Sequence, residues 1–269
     1  MEIFLTPSTA SNKSSKKLVL TPTNKRSRVK SSAKARRFEI RLSDCISYLQ
    51  SLPDNSVDCI ITDPAYSGMN QHLKLGRGRI VGNYKGDDND KWFTEFADDP
   101  DGYRQFLREC YRVMKPCSHI YIMFDSYSLL TLGPVVREVF DVKNLIVWDK
   151  VNIGMGHYFR RQHETILFAS KGKKKIVRRD LSDVWRVKRL YRPHYPTQKP
   201  VEVFSKMLQG SVEPGMIVCD PFVGSGSSAV AALAAGCIFW GSDISERAVE
   251  VSTNRCRSFI ETGKDPLEQ

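Results

Sequence analysis

The feature that most constrains the fold is a pattern that occurs twice, a short apolar run that ends at an Asp-Pro turn. The run 57–62 stops at Asp63-Pro64, and the run 216–219 stops at Asp220-Pro221. Apolar segments of this length between turn residues are typical of buried β-strands. Segments with helical spacing alternate with most of the predicted strands, which indicates an α/β sheet. Because such sheets bind ligands beyond the carboxyl ends of their strands, each turn is placed where a ligand site is expected.

The first turn, Asp63-Pro64-Ala65-Tyr66, suits a planar ring that carries an amino group. The Asp63 carboxylate and the Pro64 carbonyl can accept hydrogen bonds from an NH₂ group, and Tyr66 can stack on the ring. A purely structural interpretation is also open, in which Asp63 caps the turn and Tyr66 packs on it.

The second turn continues as Asp-Pro-Phe-Val-Gly-Ser-Gly over residues 220–226. Together the two turns resemble the amino-methyltransferases of DNA, which use S-adenosylmethionine (SAM). In that family a DPPY-like tetrapeptide is catalytic and a DPFxGSGT-like turn holds the cofactor. The catalytic motif comes first here, which resembles the permuted β group, and the resemblance covers about 38–260.

This resemblance implies an α/β, Rossmann-like SAM-dependent methyltransferase fold with a circularly permuted motif order. The two strands of the catalytic half that come last leave no room for a crossover helix, so they are predicted to be antiparallel in a mostly parallel sheet. The strands that end at Asp63 and Asp220 should be neighbours, so that both motifs line one pocket. Seven strands are expected, near 38–42, 57–62, 119–124, 144–148, 164–170, 216–220 and 237–242.

The resemblance also implies site residues, some with a physical reason of their own. Asp243 ends a predicted strand, where an acid can bind ribose hydroxyls. Asp44 is placed to contact the adenine moiety of SAM, or to cap a helix. The predicted catalytic residues are Asp63, Pro64 and Tyr66. The predicted cofactor-binding residues are Asp44, Thr197, Gln198, Lys199, Pro200, Asp220, Pro221, Phe222, Gly224, Ser225, Gly226 and Asp243.

Two details refine this interpretation. The glycine turn is not followed by the third glycine of the GxGxxG pattern, which favours SAM over NAD. Residue 65 is Ala, where the family usually has Pro. Since the expected acceptors are Asp63 and the Pro64 carbonyl, we expect activity to survive, with an effect on rate or base choice.

The net charge of +11 is concentrated in two basic blocks. Residues 1–37 carry ten Lys or Arg against one acid, and residues 171–199 carry eleven against two. Two such blocks on an otherwise acidic chain favour a polyanionic partner, double-stranded DNA, although a basic run alone is more often a solvated face. The predicted DNA-binding residues are Lys173, Lys174, Lys175, Arg178, Arg179, Arg186, Lys188, Arg189 and Arg192.

Composition also divides the chain. Residues 1–37 read as a basic, disordered arm, and 38–269 as the methyltransferase domain. Within that domain we expect a catalytic half at 38–170, a short target-recognition region at 171–196 and a SAM-binding half at 197–263. Residues 67–99, rich in glycine, are predicted to form a long loop that either closes over the site or is a plain insertion.

The remaining properties narrow the class of protein. Seven scattered cysteines without CxxC spacing indicate neither a disulfide framework nor a zinc site, and no metal is expected. With no apolar run near ~18 residues, no membrane association is expected, and the prediction is a cytoplasmic monomer or homodimer.

The function that follows is methyl transfer from SAM to the N6 amine of adenine in a flipped-out base of a specific DNA site. In the family, an aspartate at the start of the first motif favours adenine as the target base. N4 of cytosine is the alternative. A DNA-binding protein with a degenerate SAM pocket is a second alternative.

Overall fold

The computed structural model describes residues 37–66, 99–154, 158–178, 180–191, 193, 195 and 197–268. The predicted arm at 1–37 (except for Arg37), the loop at 67–99 (except for Asp99), Arg179 and Arg192 lie outside these residues. The strands are β1 Phe38–Leu42, β2 Val57–Thr62, β3 Met114–Phe124, β4 Asp141–Asp149, β5 His163–Lys171, β6 Val184–Arg186, β7 Ile217–Asp220 and β8 Ile238–Asp243. The helices are α1 Cys45–Gln50, α2 Pro100–Val113, α3 Ser126–Val139, α4 Val201–Gln209, α5 Ser227–Ala234 and α6 Glu246–Thr262.

The strands form one mixed sheet in the order β1-β8-β7-β2-β3-β5-β4-β6. All neighbours are parallel except β5, which is antiparallel to both β3 and β4. The predictions of an α/β fold, a mostly parallel sheet and one antiparallel strand are therefore confirmed. The predicted adjacency is confirmed as well, because β2 pairs with β7 through Cys59 with Val218 and Ile60 with Cys219.

The predicted count of seven strands is wrong, because the described residues form eight. The additional strand, β6, comes from the basic region that was interpreted as target recognition. It pairs with the edge strand β4, and Trp185 at its centre is buried while Val184 and Arg186 are exposed. A strand of three residues within a run of cations is too short for its alternation to be recognised in the sequence.

Helices cover both faces of the sheet, which explains why its central strands read as continuous apolar runs. On β2, Cys59 and Ile61 pack on one face with side chains of α4 and α5. Ile60 packs on the other face with side chains of α1, α2 and α3. No helix in the described residues is long and apolar enough to cross a membrane.

The strand directions decide which residues reach the edge that carries the motifs. The carboxyl ends of β1, β8, β7, β2 and β3 all lie at this edge, which we call the carboxyl edge. Because β5 runs in the opposite direction, it starts at the carboxyl edge with His163 and Glu164. It ends at the opposite edge with Lys171, whose Nζ donates to the Met114 carbonyl at 2.6 Å.

A buried arginine on α6 ties the end of the described chain to the loop before α5. The Arg255 guanidinium, 1% exposed, forms ion pairs with Asp265 at 2.6 Å and Glu268 at 3.3 Å. It also donates to the Ser225 carbonyl at 3.1 Å and to Ser227 Oγ at 2.9 Å. The arginine therefore holds three separate segments together.

We expect Arg255→Met to lower the free energy of unfolding by about 3 kcal/mol, because it leaves buried carboxylates without their cation. Chemical denaturation monitored by circular dichroism measures this change. Arg257→Met is the matched control, since Arg257 is exposed on the same helix and its replacement should change stability by less than about 0.5 kcal/mol. Equal effects of the two variants would contradict the assigned role.

Candidate active site

A cavity of about 650 Å³ opens at the carboxyl edge, and residues of both sequence motifs line it. This volume lies within the range of small-molecule sites in proteins. The cavity brings together all predicted catalytic and cofactor-binding residues except Pro200 and Gly226. The predicted residues that line it are Asp44, Asp63, Pro64, Tyr66, Thr197, Gln198, Lys199, Asp220, Pro221, Phe222, Gly224, Ser225 and Asp243.

The turn after β2 is fixed mainly through its tyrosine. The Tyr66 ring stacks on Phe124 at the end of β3, with 5.1 Å between centroids and 11° between planes. Its hydroxyl lies 3.2 Å from the Tyr103 hydroxyl of α2. Tyr66 therefore packs on neighbouring aromatic side chains, in line with the purely structural interpretation of this turn. It also lines the cavity. A planar ligand that stacks on Tyr66 would extend an aromatic stack that the protein already contains.

Asp63 belongs to a chain of four alternating charges. Its carboxylate accepts a hydrogen bond from Lys199 Nζ, which lies 3.6 Å from Glu164 Oε2. The other oxygen of Glu164 lies 3.0 Å from Lys150 Nζ. The order along this chain, which we call the charge chain, is Asp63, Lys199, Glu164, Lys150. Each side chain is less than a third exposed, so water screens these interactions only in part.

The charge chain shifts the pKa values of its members. Burial raises the pKa of Asp63 above its ordinary value, and Lys199 offsets part of this increase. Burial alone would lower the pKa of Lys199, but Asp63 and Glu164 together raise it. Burial alone would raise the pKa of Glu164, but Lys199 and Lys150 bring it below its usual range. Lys199 thus stays cationic and favours the ionised form of Asp63.

Two members of the charge chain, Glu164 and Lys150, were not recognised in the sequence. A usable signal existed for Glu164. A strand predicted to be antiparallel must begin at the edge where its parallel neighbours end, which places the first residues of β5 beside the catalytic turn.

Asp220 shapes the glycine turn with both of its carboxylate oxygens. One accepts from Thr62 Oγ1 and from the Phe222 N–H, each at 2.9 Å, and the other accepts from Ser228 Oγ at 2.5 Å. Burial raises its pKa to about 7, although these hydrogen bonds act to lower it. Since the protein's own donors engage both oxygens, Asp220 acts mainly by fixing the loop.

The glycine turn requires a residue without a side chain at one position. Gly226, which precedes α5, has φ of +85°, and a Cβ there would lie 2.9 Å from the Cβ of Ser252. Its role is therefore conformational, which agrees with its absence from the cavity wall.

Two acids lie side by side at the ends of β1 and β8. Leu42 pairs with Asp243, and the Ser43 N–H donates to the Asp243 carbonyl at 3.0 Å. The Asp243 carboxylate accepts from the N–H groups of Gly224 at 2.8 Å and Ser245 at 2.9 Å, and burial raises its pKa. Asp44 caps α1 by accepting from the Ser47 N–H at 2.9 Å, which lowers its pKa. Both acids keep oxygen lone pairs for hydroxyl or amino donors.

The segment before α4 is strained and carries an unsatisfied group. Thr197 has φ of +60°, a conformation that is unfavourable for a β-branched residue. The neighbouring Gln198 is buried, and its Oε1 accepts no hydrogen bond from the described residues. A buried amide oxygen without a donor is costly, so a ligand that donates a hydrogen bond here would remove that cost.

Pro200 is the N-cap of α4, which begins at Val201. The first free N–H of this helix, on Val201, is occupied by the Glu268 carboxylate at 3.0 and 3.2 Å. The C-terminal segment thus supplies the negative charge that the helix N-terminus favours. No sequence pattern connects Glu268 with α4, since the contact is entirely tertiary.

The structure separates the predicted DNA-binding residues into two groups. Lys173, Lys174, Lys175 and Arg178 follow β5 at the opposite edge, where Lys174 Nζ donates to the Ser211 carbonyl at 2.9 Å. The chain then runs along β6 towards the carboxyl edge, and this part of it carries Arg186, Lys188 and Arg189. Arg186 pairs in register with Asp149 at the end of β4, and the Arg189 guanidinium lies beside Gly154. Only the second group lies at the edge that carries the cavity.

The described residues contain no cluster of three or more His, Cys, Asp or Glu side chains that could hold a metal ion. The acids at the cavity are instead engaged by backbone N–H groups, hydroxyls and Lys199, as their hydrogen bonds show.

Comparison with known proteins is consistent with this geometry. A family model described as DNA methylase matches residues 57–254. The chain is 29% identical over 245 residues to the type II methyltransferase M2.DpnII of Streptococcus pneumoniae, covering 82% of this chain and 90% of that protein. It is 27% identical over 245 residues to the type II methyltransferase M.HinfI of Haemophilus influenzae, covering 80% and 67%.

Solved structures share the fold. The M1.HpyAVI–SAM complex aligns with a TM-score of 0.59 at 21% identity, covering 81% of this chain and 99% of that one. The cytosine-N4-specific PvuII DNA methyltransferase aligns with a TM-score of 0.62 at 15% identity, covering 80% and 85%. Since the family model spans both motifs and most of the sheet, the chain belongs to the DNA methylase family of SAM-dependent N6 and N4 amino-methyltransferases.

Proposed function

We propose that this protein transfers a methyl group from SAM to the N6 amine of adenine at a specific site in DNA. The observation that carries the proposal is that the Asp63 turn and the glycine turn line one cavity, with Lys199 bound to Asp63. That cavity offers acceptors for an exocyclic amine beside a pocket for the methyl donor.

The amine needs help because its lone pair is delocalised into the ring. Asp63 and the Pro64 carbonyl would each accept one N–H hydrogen, which localises the lone pair on the nitrogen. Bound SAM supplies an electrophilic methyl group. S-adenosylhomocysteine would leave, and the methylated nitrogen would release one proton, which the Asp63 carboxylate could accept. Positioning and fixed charges supply the rate acceleration.

Lys199 serves this chemistry through Asp63. A carboxylate held away from water tends to take up a proton, and a protonated Asp63 would accept hydrogen bonds poorly. The ammonium beside it favours the ionised form. Glu164 pairs with Lys199 from the other side, and Lys150 in turn pairs with Glu164, so all three are positioning residues for Asp63.

The cofactor would be held by residues of three segments. Asp243 is placed for ribose hydroxyls and Asp44 for the adenine moiety, each with its orientation fixed by backbone donors. The unsatisfied Gln198 Oε1 suits the ammonium group of the methionine moiety, which is a strong donor.

Cytosine N4 is the second candidate, because the same pair of acceptors fits its exocyclic amine. Ala65 lines the cavity between these acceptors and Tyr66, so its small side chain can affect the choice of base. Double-stranded DNA as substrate, the cytoplasmic location and the state of monomer or homodimer stay predictions. Of the basic residues, Arg186, Lys188 and Arg189 are proposed to contact phosphates near the cavity.

Nucleoside mass spectrometry of unmethylated DNA, incubated with the protein and SAM, tests the proposal. We expect N6-methyladenine from the wild type and at least a roughly hundredfold lower rate from Asp63→Ala, because the amine loses an acceptor. SAM affinity and the unfolding temperature of the variant serve as controls. N4-methylcytosine would contradict the base assignment, and SAM binding without any methylated base would contradict DNA methylation itself.

The pH dependence of single-turnover methylation tests the charge chain. Because Lys199 lowers and Glu164 raises the pKa of Asp63, removing them should act in opposite directions. We expect Lys199→Met to move the acid limb of the profile up by about one pH unit or more, and Glu164→Gln to move it down. Shifts of both variants in the same direction, or none, would contradict control of Asp63 by this chain.

Ligand binding tests the role of Gln198. We expect Gln198→Met to weaken binding of SAM and S-adenosylhomocysteine about tenfold, because an acceptor for their amino group is lost. Adenosine lacks that group, so its affinity should not change. Isothermal titration calorimetry with the three ligands distinguishes this result from a general disruption of the pocket, which would weaken adenosine as well.

A further inference from the structure

The connection between β4 and β5 forms part of the cavity and continues beyond it. The cavity is lined by Lys150, the first residue of this connection, and by Arg161 near its end. His163 and Glu164 of β5 line the cavity beside them. Because β4 ends and β5 begins at the carboxyl edge, the described parts of this connection, 150–154 and 158–162, start from the edge where the target base would enter.

Two neighbouring aromatic side chains on this connection are almost completely exposed. Tyr158 is 96% and Phe159 is 97% exposed. A large aromatic side chain contributes about 150–250 Å² of surface when it is buried, so two adjacent ones in water represent a substantial unused binding surface. Most other aromatic rings around the cavity, including Tyr66 and Phe124, are buried.

The backbone around this pair is anchored on both sides. The Lys150 N–H donates to the Gln162 carbonyl at 2.8 Å, and the Gly154 N–H donates to the Arg161 carbonyl at 2.6 Å. Arg160 Nε donates to the Gly154 carbonyl at 2.8 Å. The pair therefore projects from a base that is tied to the charge chain through Lys150.

Three arginines lie on the same connection or at its base. Arg160 and Arg161 follow it directly in the chain, and the Arg161 guanidinium lies 5.5 Å from the centre of the Tyr127 ring. Arg189, from the segment after β6, lies beside Gly154 at the base of the connection. Aromatic rings interleaved with arginines are the combination that binds stacked bases together with their phosphates.

We infer that Tyr158 and Phe159 form an aromatic wedge, which enters the DNA base stack and replaces the target base when that base moves into the cavity. The inference rests on the proposed function. Phe159 lies two positions before Arg161 of the cavity wall, a span of at most about 7 Å. The wedge thus lies within one or two bases of the cavity mouth, where extrusion of the target leaves a gap. Apolar side chains fill such gaps in DNA because they restore the lost stacking.

The decisive measurement compares a paired target with one that is already free of its partner. The first substrate is a duplex with the site mapped for the wild type. The second is the same duplex with an abasic position opposite the target. The double variant Tyr158→Ser/Phe159→Ser should lose roughly tenfold to hundredfold in single-turnover rate on the first substrate, and less than about threefold on the second.

Two control proteins accompany this comparison. Val177→Ser removes an exposed apolar side chain at the opposite edge and should leave both rates unchanged. Phe159→Trp keeps an aromatic ring and should retain the wild-type ratio of the two rates. In addition, 2-aminopurine at the target position should become fluorescent with the wild type and remain quenched with the double variant.

Other outcomes overturn the wedge. An equal loss on both substrates would mean that the pair contributes to general DNA affinity or to folding. No loss on either would place the pair off the DNA path, as expected for a protein-binding surface. Failure of the proposed function is recognised separately, because the wild type would then methylate neither duplex.

Discussion

The site depends on the parallel pairing of β2 with β7. Parallel neighbours end at the same edge of a sheet, so this pairing brings together the Asp63 turn and the glycine turn. A buried hydrogen bond from Thr62 Oγ1 to Asp220, at 2.9 Å, joins the two strands at their ends across 158 positions of sequence. The same carboxylate accepts from Phe222 and Ser228, so the residue that aligns the strands also fixes the glycine turn. Loss of this alignment would separate the two halves of the cavity before any contact with a ligand was changed.

The reversed strand β5 supplies the electrostatic part of the site. A carboxylate that is partly shielded from water is prone to neutralisation, yet the proposed amine activation requires it as an acceptor. The protein resolves this conflict by alternating charges, with Lys199 between Asp63 and Glu164 and with Lys150 beyond them. Glu164 can take part only because β5 begins at the carboxyl edge. The antiparallel strand that distinguishes this sheet from a purely parallel one therefore has a chemical consequence.

The sequence predicted the parts of this structure that depend on local pattern. The bounds of β1 and β2 match the expected 38–42 and 57–62, and most of the predicted catalytic and cofactor-binding residues line the cavity. Contacts between residues far apart in the sequence could not be predicted from local pattern. Nothing near Arg255 or Glu268 in the sequence indicates that they brace the glycine turn and the start of α4. Strand β6 was missed because three residues carry no reliable periodicity.

The basic block at 171–199 is continuous in sequence, but its residues lie at opposite edges of the sheet. The nine residues of β5 span about 30 Å, at roughly 3.3 Å per residue, and the chain returns towards the carboxyl edge only through β6. At physiological ionic strength the Debye length is about 8 Å, so charges at opposite edges are separated by more than three screening lengths. Lys173, Lys174 and Lys175 therefore have little effect on a phosphate at the cavity mouth. Arg186, Lys188 and Arg189 lie on the correct side, together with Arg160, Arg161 and the two exposed aromatic rings. The positive surface at this edge is thus assembled from two connections of the chain, and the net charge along the sequence does not describe it.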